Sequence, residues 1–401
     1  MNSLAEKISE LTAQKSGVKR LTLTDFRNYD FLRLNLELAP IIITGENGSG
    51  KTNILEAVSF LTPGRGLRGA KLADIKRIVP NDNPENFEFG HSPVNWAVSA
   101  SVQKNDEDFE IGTASESLQK DETSRTFERR IVKIDNQKIS SQAELGKYIS
   151  AIWLTPQMDR LFRGGAQPRR SFLDRMVYAF DIEHAKRTSQ FEHLYKEWSE
   201  LIKSGRFNDN WLTILEKNMA ETGVAIAAAR KDIVERLNTF ISDEPDDVFP
   251  NVSIELDGTI EKMLDSKPAL AVEDYYAAIL ANQRQSVLYS DNSEGINRTD
   301  FKVYYKKKNM AAELCSTGEQ KSLLIGLILA QTKCQILDKG FAPVLLLDEV
   351  VAHLDAAKKE ALIEKIKALK IQAFITATDA SLFDSMKDCA QFLTVRNGVV
   401  F

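Results

Sequence analysis

The sequence predicts an α/β fold built around a phosphate-binding loop, with a β-rich lobe beside the loop and a helical insertion in mid-chain. The stretch GENGSGKT, residues 45–52, follows an apolar strand pattern and opens a helix pattern. Residues 95–139 carry short β-like runs joined by polar segments, which predicts an antiparallel sheet flanking the loop. Residues 182–240 are helix-rich, and strand and helix patterns alternate again in the last third.

Each predicted element depends on its own pattern. Residues 32–44 begin with alternation and end as a buried apolar strand, and residues 52–61 are typical of the helix that follows. Apolar residues at helical spacing predict a packing face in the middle of the chain: Leu212, Leu215, Met219, Ile226, Ile233 and Leu237. Further patterns predict helices at 322–337 and 361–369 and buried strands at 344–347 and 372–377.

Composition narrows the class of protein. The chain has 401 residues, enough for two or three domains, and its 43% hydrophobic content is typical of a globular protein. No apolar run reaches the length of a membrane span, and the first residues carry no pattern of a secretory signal. Cys315, Cys334 and Cys389 are isolated in sequence, so we expect a reducing, cytoplasmic environment. The net charge of −5 argues weakly against a nucleic-acid coat protein but allows a local basic face.

The loop has the spacing of a nucleotide phosphate site. Glycines let backbone N–H groups close around phosphate, Lys51 would reach the β- and γ-phosphates, and the Thr52 hydroxyl would bind Mg²⁺. We therefore expect ATP and Mg²⁺ as cofactors. The predicted nucleotide-binding residues are Gly45, Glu46, Asn47, Gly48, Ser49, Gly50, Lys51 and Thr52.

The acidic partner of this loop lies nearly three hundred residues further on. In VLLLDE, four apolar residues end in Asp348 and Glu349, which predicts two carboxylates at the carboxyl end of a buried strand. Asp348 would hold Mg²⁺, and Glu349 would orient or deprotonate the attacking water. A strand that simply ends in acids at the surface is the alternative interpretation.

A second anion-binding helix start precedes that strand, in CSTGEQKSLL at residues 315–324. Because the chain already has a phosphate loop, this second one suggests that two copies share a nucleotide. One copy would supply Lys51 and Glu349, and the other would supply Ser316 and Gly318. A plain helix N-cap is the alternative.

The order of these motifs, ending in AHLD at residues 352–355, is that of ABC-type ATPase heads, and the helical insertion is similar to that of the SMC and RecF group. The chain resembles the RecF family. The matching stretches are TDFRNY (24–29), GENGSGKTNILEAV (45–58), GRGLR (64–68), TPQMDRLFRGGAQPRRSFLDR (155–175), STGEQKSLL (316–324) and LLLDEVVAHLD (345–355). The family's signature usually begins with Leu where this chain has Cys315. Many members of the family carry Pro-Glu-Asp where this chain has Pro156, Gln157 and Met158. A Gly-Pro-His-Arg stretch of the family appears as residues 295–298, without its histidine.

The resemblance implies an ABC-type, SMC-like P-loop ATPase head with a flanking antiparallel β lobe and an inserted compact helical arm. The expected ranges are 1–155 and 285–401 for the two parts of the head and 156–284 for the arm. It also implies that Gln157 senses Mg²⁺ and γ-phosphate during catalysis and that Arg27 and Asn28 lie near the nucleotide. The remaining implied roles are the trans signature (Ser316, Thr317, Gly318, Glu319), the dimer seam (Asp355) and the switch region (Thr376, Thr378).

The function implied by the resemblance is that of a weak, DNA-stimulated ATPase acting in recombinational repair and replication restart. ATP would join two heads into a homodimer on duplex or gapped DNA, slow hydrolysis would release it, and RecR and RecO would be partners in recombinase loading. The candidate DNA contacts are Arg65, Arg68, Lys71, Lys76 and Arg77, with Arg163, Arg169, Arg170 and Lys306–Lys308 as further cations. Binding through phosphates would weaken with salt and ignore base sequence.

Two other functions share the motifs. A transporter ATPase subunit is disfavoured by the long insertion. An ABC head fused to a nuclease domain needs a further acidic metal site after the head, for which residues up to Phe401 leave no room.

Overall fold

The structure, a computed structural model, describes residues 4–77, 94–120, 125–205, 208–242, 248–284, 294–351 and 354–401. The strands are β1 (Gly17–Phe26), β2 (Tyr29–Asn35), β3 (Ile41–Thr44), β4 (Val94–Lys104), β5 (Glu107–Lys120), β6 (Arg125–Ile134), β7 (Gln137–Lys138), β8 (Ala151–Leu154), β9 (Val252–Asp257), β10 (Asp300–Tyr305), β11 (Met310–Ala311), β12 (Val344–Leu347), β13 (Ala373–Ala377), β14 (Gln391–Arg396) and β15 (Val399–Val400). The helices are α1 (Leu4–Ala13), α2 (Lys51–Ser59), α3 (Ala166–Tyr178), α4 (His184–Ser204), α5 (Asp209–Ser242), α6 (Thr259–Met263), α7 (Ala269–Asn282), α8 (Thr317–Lys339) and α9 (Ala356–Leu369).

The chain divides into two compact units, Met1–Pro156 with Gln335–Phe401, and Gln157–Cys334. The first unit contains a sheet in the order β15-β14-β3-β13-β12-β8, in which every pairing except β14 with β15 is parallel. The central strands β3, β12 and β13 are buried along their whole length, as expected for a parallel sheet covered on both faces. The predicted strands at 344–347 and 372–377 are confirmed as β12 and β13.

The first unit also contains an antiparallel sheet in the order β2-β1-β4-β5-β6-β7. It confirms the flanking β lobe expected from residues 95–139 and adds β1 and β2 to it. Residues 32–44, predicted as one segment, instead divide between the two sheets. The chain bends between Leu36 and Pro40, and β3 begins directly after this proline.

The second unit combines α3–α7 with a small antiparallel sheet in the order β11-β10-β9. The predicted packing face on α5 is confirmed, since all six of its apolar residues are buried, and Trp198 and Tyr276 belong to the same core. Among the helices of the described ranges, none is long and apolar enough to cross a membrane.

The structure divides the chain differently from the range 285–401 predicted for the last part of the head. The second compact unit, which contains α3–α7, runs on to Cys334. Two contacts tie residues after 285 to these helices: Arg230 Nη1 donates to Ile296 O at 2.8 Å, and Thr299 Oγ1 donates to Glu261 Oε1 at 2.7 Å. In addition, β10 pairs with β9 along six residues. Sequence patterns could not show these pairings because the partners are far apart in the chain.

A buried ionic network connects α3, α4 and α5. Asp174 accepts from Arg230 Nε at 2.8 Å and Nη2 at 2.9 Å, and one of its oxygens lies 2.9 Å from His184 Nε2. Burial acts to raise the pKa of Asp174, but the His184 hydrogen bond and the Arg230 charge outweigh burial and lower the pKa to about 2. Asp174 is therefore ionised throughout the physiological range.

Candidate nucleotide site

The phosphate loop lies at the carboxyl end of the parallel sheet. Strand β3 ends at Thr44, its neighbours β13 and β14 run parallel to it, and helix α2 begins at Lys51 with Gly50 as its N-cap. Ligands of open α/β sheets bind at this edge, and the N-terminus of a helix attracts anions. The tertiary structure therefore provides the setting in which the predicted loop can bind phosphate.

Two loop glycines have no room for a side chain. Gly45 has φ +144°, and a Cβ there would lie 2.2 Å from Val395 O. Gly50 has φ +116°, and its Cβ would lie 2.5 Å from Asn28 Nδ2 and 2.7 Å from Tyr29 Oη. The backbone thus approaches its neighbours closely while adopting conformations that favour glycine.

Lys51 lies across the loop. Its Nζ donates to Gly45 O at 2.7 Å and to Glu46 O at 2.8 Å, and the residue is only 3% exposed. Burial lowers the pKa of Lys51, while the negative charges of Glu349 and Asp348 oppose this shift. The ammonium group is therefore held over the loop, where phosphate charge would be neutralised.

Asp348 and Glu349 follow β12, and the Thr376 hydroxyl on β13 makes a hydrogen bond to each of these two residues. Thr52 Oγ1 donates to Asp348 Oδ1 at 2.9 Å, and Thr376 Oγ1 donates to the same oxygen at 2.8 Å. Thr376 Oγ1 also accepts from the Glu349 backbone N–H at 2.9 Å. Glu349 has φ +52°, an uncommon conformation for a residue with a side chain, and such strain is often found at functional sites.

The two threonines predicted for the switch region occupy different environments. Thr376 is fully buried against the Asp348 carboxylate, whereas Thr378, two residues later, is exposed. Strand β13 is buried along its whole length and ends at Ala377, so Thr376 lies inside the buried strand and Thr378 lies beyond its end. Sequence alone placed both in one region and missed the contact of Thr376 with Asp348.

The donor set fits a nucleotide and a magnesium ion. Ser49 Oγ is buried and has no hydrogen-bond partner among the described residues, so a phosphate oxygen would satisfy it. Thr52 and Asp348 present hard oxygen atoms side by side, which Mg²⁺ prefers, and Mg²⁺ usually takes few protein ligands together with phosphates. Within the described ranges, no group of three or more His, Cys, Asp and Glu side chains forms a separate metal cluster.

Arg27 and Asn28, both predicted to lie near the nucleotide, support the loop in different ways. Asn28 Nδ2 donates to Ser49 O at 3.2 Å, and its Oδ1 accepts from Asn53 at 2.7 Å. Arg27 instead forms a bidentate ion pair with Glu56 on α2, at 2.9 and 2.7 Å.

Sequence reasoning missed Glu56, although one signal was available. Glu56 is a fully buried acid that lies among Leu55, Ala57 and other apolar residues of α2. An acid on the apolar face of a helix needs a cationic partner, and here the partners come from two separate loops.

The segment after α2 carries several predicted DNA contacts, and we name residues 62–76 the basic loop. Its Arg68 donates to Glu56 Oε2 and Asn53 Oδ1, both at 2.8 Å, so this cation is held against α2. Just beyond the loop, Arg77 pairs with Asp25 at 3.3 Å and Asp30 at 3.0 Å. The exposed cations of the loop are Arg65, Arg68, Lys71 and Lys76, and of these Arg68 is held by its ion pair with Glu56.

The signature residues lie in the second unit, at the start of α8. Ser316 and Glu319 form a capping box: the Ser316 N–H and hydroxyl donate to Glu319 Oε2 at 2.9 and 2.7 Å. Lys308 forms an ion pair with Glu319, and hydrogen bonds from Lys308 and Ser316 lower the pKa of Glu319 to about 2. Thr317 and Gly318 are exposed, so the helix start is a capped N-terminus that faces solvent.

Three other predicted groups have the following surroundings. Gln157 is exposed and lies in the second unit, three residues after the end of β8. Asp355 caps α9 by accepting from the Lys358 N–H at 2.9 Å, while Ala352 and His353 of the same motif lie outside the described residues. Among the further cations, Arg169 pairs with Asp300 and Arg170 donates to a backbone carbonyl, so both stabilise the fold.

Known proteins resemble this chain over nearly its whole length. Residues 17–400 match the family described as RecF/RecN/SMC N terminal domain. The "DNA replication and repair protein RecF" of Allorhizobium ampelinum is 42% identical over 389 residues, which cover 96% of this chain and 99% of that protein. The protein of the same name from Rhizobium rhizogenes is 40% identical over 386 residues, with 96% and 98% coverage.

A solved structure gives the same result at the level of the fold. The "Structure of the recombination mediator protein RecF-ATP in RecFOR pathway" has a TM-score of 0.79 and 21% identity, and the match covers 97% of this chain and 98% of that one. At this identity the likeness establishes the ABC-type, SMC-like head with its β lobe and helical insertion.

Proposed function

Because the chain belongs to the RecF family of DNA replication and repair proteins, we propose that it is an ATP-dependent DNA-binding protein of recombinational repair. Its broader function, DNA replication and repair by an ATPase of this family, follows from the family itself. One observation supports the ATP-dependent step above all: Thr52, Asp348, Thr376 and Glu349 form one hydrogen-bonded set beside a phosphate loop.

The loop would bind the phosphates of ATP through its backbone N–H groups, Lys51 and the buried Ser49 hydroxyl. Thr52 and Asp348 would hold Mg²⁺, and Gln157 would complete the ligands. A bound magnesium ion supplies positive charge that offsets the negative charge developing on the transferred phosphoryl group.

Glu349 would orient the attacking water and accept its proton. Its backbone N–H donates to the Thr376 hydroxyl, which itself donates to Asp348, so the two acidic residues share one support. This shared support fixes the backbone of Glu349 relative to the Asp348 carboxylate, and from that position the Glu349 side chain would reach the attacking water. Hydrolysis would be slow, stimulated by DNA, and used as a timer.

ATP would join two copies of the chain into a homodimer. In each site, one copy would contribute its phosphate loop, and the other would contribute the exposed start of α8, with Ser316, Thr317, Gly318 and Glu319. The positive end of the α8 dipole favours an approaching phosphate, and Lys308 offsets the charge of the nearby Glu319. Asp355 would lie at the dimer seam.

The dimer would hold duplex or gapped DNA through the exposed cations Arg65, Lys71 and Lys76, with Arg68 and Arg77 released from their ion pairs or contributing at the edge. Contacts of this kind address phosphates and give no base specificity. The protein would work in the cytoplasm with RecR and RecO, the partners that the family resemblance implies, to load recombinase.

The decisive experiment measures the retention of the Glu349→Gln protein on a gapped duplex, with and without ATP, at two salt concentrations. This variant should bind ATP without hydrolysing it, so ATP should increase retention, and retention should fall steeply with salt. Lys51→Ala is the matched control, because it should abolish both ATP binding and ATP-driven dimers.

Two results would contradict the proposal. Normal hydrolysis by Glu349→Gln would show that another group activates the water. A lack of ATP-dependent DNA retention, with RecR and RecO also present, would favour another ABC-type assembly, and co-purification with a membrane protein would identify that assembly as a transporter.

A further inference from the structure

A buried arginine of the β lobe contacts the far end of the phosphate-loop helix. Arg130 lies on β6 of the antiparallel sheet and is 8% exposed. Its Nη2 donates to the carbonyl oxygens of Phe60 and Thr62, and its Nη1 donates to Gly64 O at 2.6 Å. These carbonyls belong to the chain that leaves α2 and enters the basic loop.

The guanidinium has a full set of acceptors. Besides the three carbonyls, Thr113 Oγ1 accepts from Nε at 2.7 Å, and Gln142 Oε1 accepts from Nη1 at 3.0 Å. All five N–H donors of Arg130 are therefore used, in the fixed fork geometry that lysine does not have. Such complete satisfaction specifies one position for the chain that the carbonyls belong to.

The acceptors of Arg130 carry no formal charge. The positive charge of its guanidinium is instead stabilised by the dipole of helix α2. The last carbonyls of a helix carry the negative end of its dipole, and a cation beside them is stabilised. Burial lowers the pKa of Arg130 to about 9, so the group remains charged near pH 7. The guanidinium also lies 5.2 Å from the centre of the Phe60 ring, a favourable cation–π contact.

The same place anchors the basic loop by packing. The Phe60 ring lies 5.2 Å from the Trp96 ring, whose Nε1 donates to Leu72 O at 3.0 Å within the loop. Gly66 has φ +71°, and a Cβ there would lie 2.7 Å from the Phe60 ring, so the loop wraps tightly around this side chain. Further along, Arg27 N donates to Ile75 O at 2.8 Å.

We propose that Arg130 is a positioning residue that couples the basic loop to the phosphate-loop helix, so that DNA contact on the loop alters nucleotide binding. It holds the end of α2 and the first residues of the loop from one side chain. A displacement of the loop therefore requires either the loss of these hydrogen bonds or a movement of α2. The inference rests on the proposed function for its readout with DNA and on the contacts above for the anchor itself.

The test compares Arg130→Gln and Arg130→Lys with the wild-type protein. The matched control is Arg129→Gln, which removes a cation from the neighbouring, exposed position on β6. Two quantities are measured: the affinity for a fluorescent ATP analogue with and without duplex DNA, and the rate of tryptic cleavage after Arg65 and Lys71. Thermal unfolding of each variant reports whether the chain still folds.

In the wild-type protein, DNA should raise the affinity for the analogue, and by linkage the analogue should raise the affinity for DNA by the same factor. In Arg130→Gln, this factor should fall toward one, while the affinity without DNA should change less than about threefold. Cleavage in the basic loop should become at least about tenfold faster, because a freed loop opens locally more often.

Arg130→Lys keeps the charge but reaches fewer acceptors, so it should give intermediate values and keep the proposal testable if Arg130→Gln does not fold. Arg129→Gln should match the wild type in both quantities. Unchanged DNA coupling in the Arg130 variants would overturn the inference, whether or not cleavage of the loop changes. If DNA does not change the nucleotide affinity of the wild-type protein, the proposed function fails. In that case the role of Arg130 as an anchor of the basic loop is tested by cleavage alone, and an unchanged cleavage rate in the Arg130 variants would overturn it.

Discussion

Thr376→Val removes one hydroxyl and leaves the shape of the side chain almost unchanged. That hydroxyl is fully buried, donates to Asp348 Oδ1 at 2.8 Å and accepts from the Glu349 N–H at 2.9 Å. The variant should therefore free the Glu349 backbone and weaken the hold on Asp348, with Thr52 as the donor that remains.

The magnitude follows from these two hydrogen bonds. A buried donor left unsatisfied costs about 1–3 kcal/mol, and because Glu349 is only partly buried we take about 1.4 kcal/mol for its N–H. That free energy corresponds to roughly a tenfold change in an equilibrium. The lost hydrogen bond to the Asp348 carboxylate adds about 1.5 kcal/mol to the destabilisation of the folded state.

The assay is amide hydrogen exchange of a peptide that covers residues 344–351, followed by single-turnover ATP hydrolysis. The Glu349 amide should exchange roughly tenfold faster in Thr376→Val, and hydrolysis at saturating ATP should slow by a similar factor. Thr239→Val is the matched control, because Thr239 is exposed on α5 in the second unit, and it should match the wild type. If Thr376→Val exchanges and hydrolyses within about twofold of the wild type, the assigned role of the hydroxyl is wrong.

Two further predictions concern the loop and the second unit. Gly50→Ala forces φ +116° on a residue with a Cβ that would lie 2.5 Å from Asn28 Nδ2, so affinity for an ATP analogue should fall at least about tenfold. Gly112→Ala, in open space on β5, should not change it. Asp174 has a folded pKa of about 2 against an ordinary 3.8, so its ionised form adds about 2 kcal/mol of stability above pH 4. The excess stability of the wild type over Asp174→Asn, measured by urea unfolding, should therefore shrink by that amount as pH falls from 4 toward 2. A constant difference would exclude the His184 hydrogen bond and the Arg230 charge as its source.

The nucleotide site was accessible from sequence because its parts are local patterns. A phosphate loop needs glycines and a Lys-Thr pair at fixed spacing, and the helix that follows is contiguous with it. The acids after β12 were recognisable because four apolar residues precede them. Gln157 and Asp355 depended on the family resemblance, and their roles stay predictions.

The contacts that hold the site together were not accessible in this way. Thr376 and Asp348 are 28 residues apart, and Arg130 and Phe60 are 70 apart, so no local spacing relates them. Glu56 was passed over because an acid within a helix is usually solvated, and only its burial reveals the need for Arg27 and Arg68.

By itself, the sequence determined the fold class and the family, and it predicted the phosphate loop and the acids of the candidate nucleotide site, since each is carried by contiguous residues. The tertiary structure decided which cations remain exposed and which are bound in ion pairs, since that depends on the neighbours that folding brings to each side chain. It also decided that residues up to Cys334 belong with the helices and that Thr376 supports both acids. Pairings between distant strands and buried hydrogen bonds form only when the whole chain has folded, because their partners meet through packing and not through spacing.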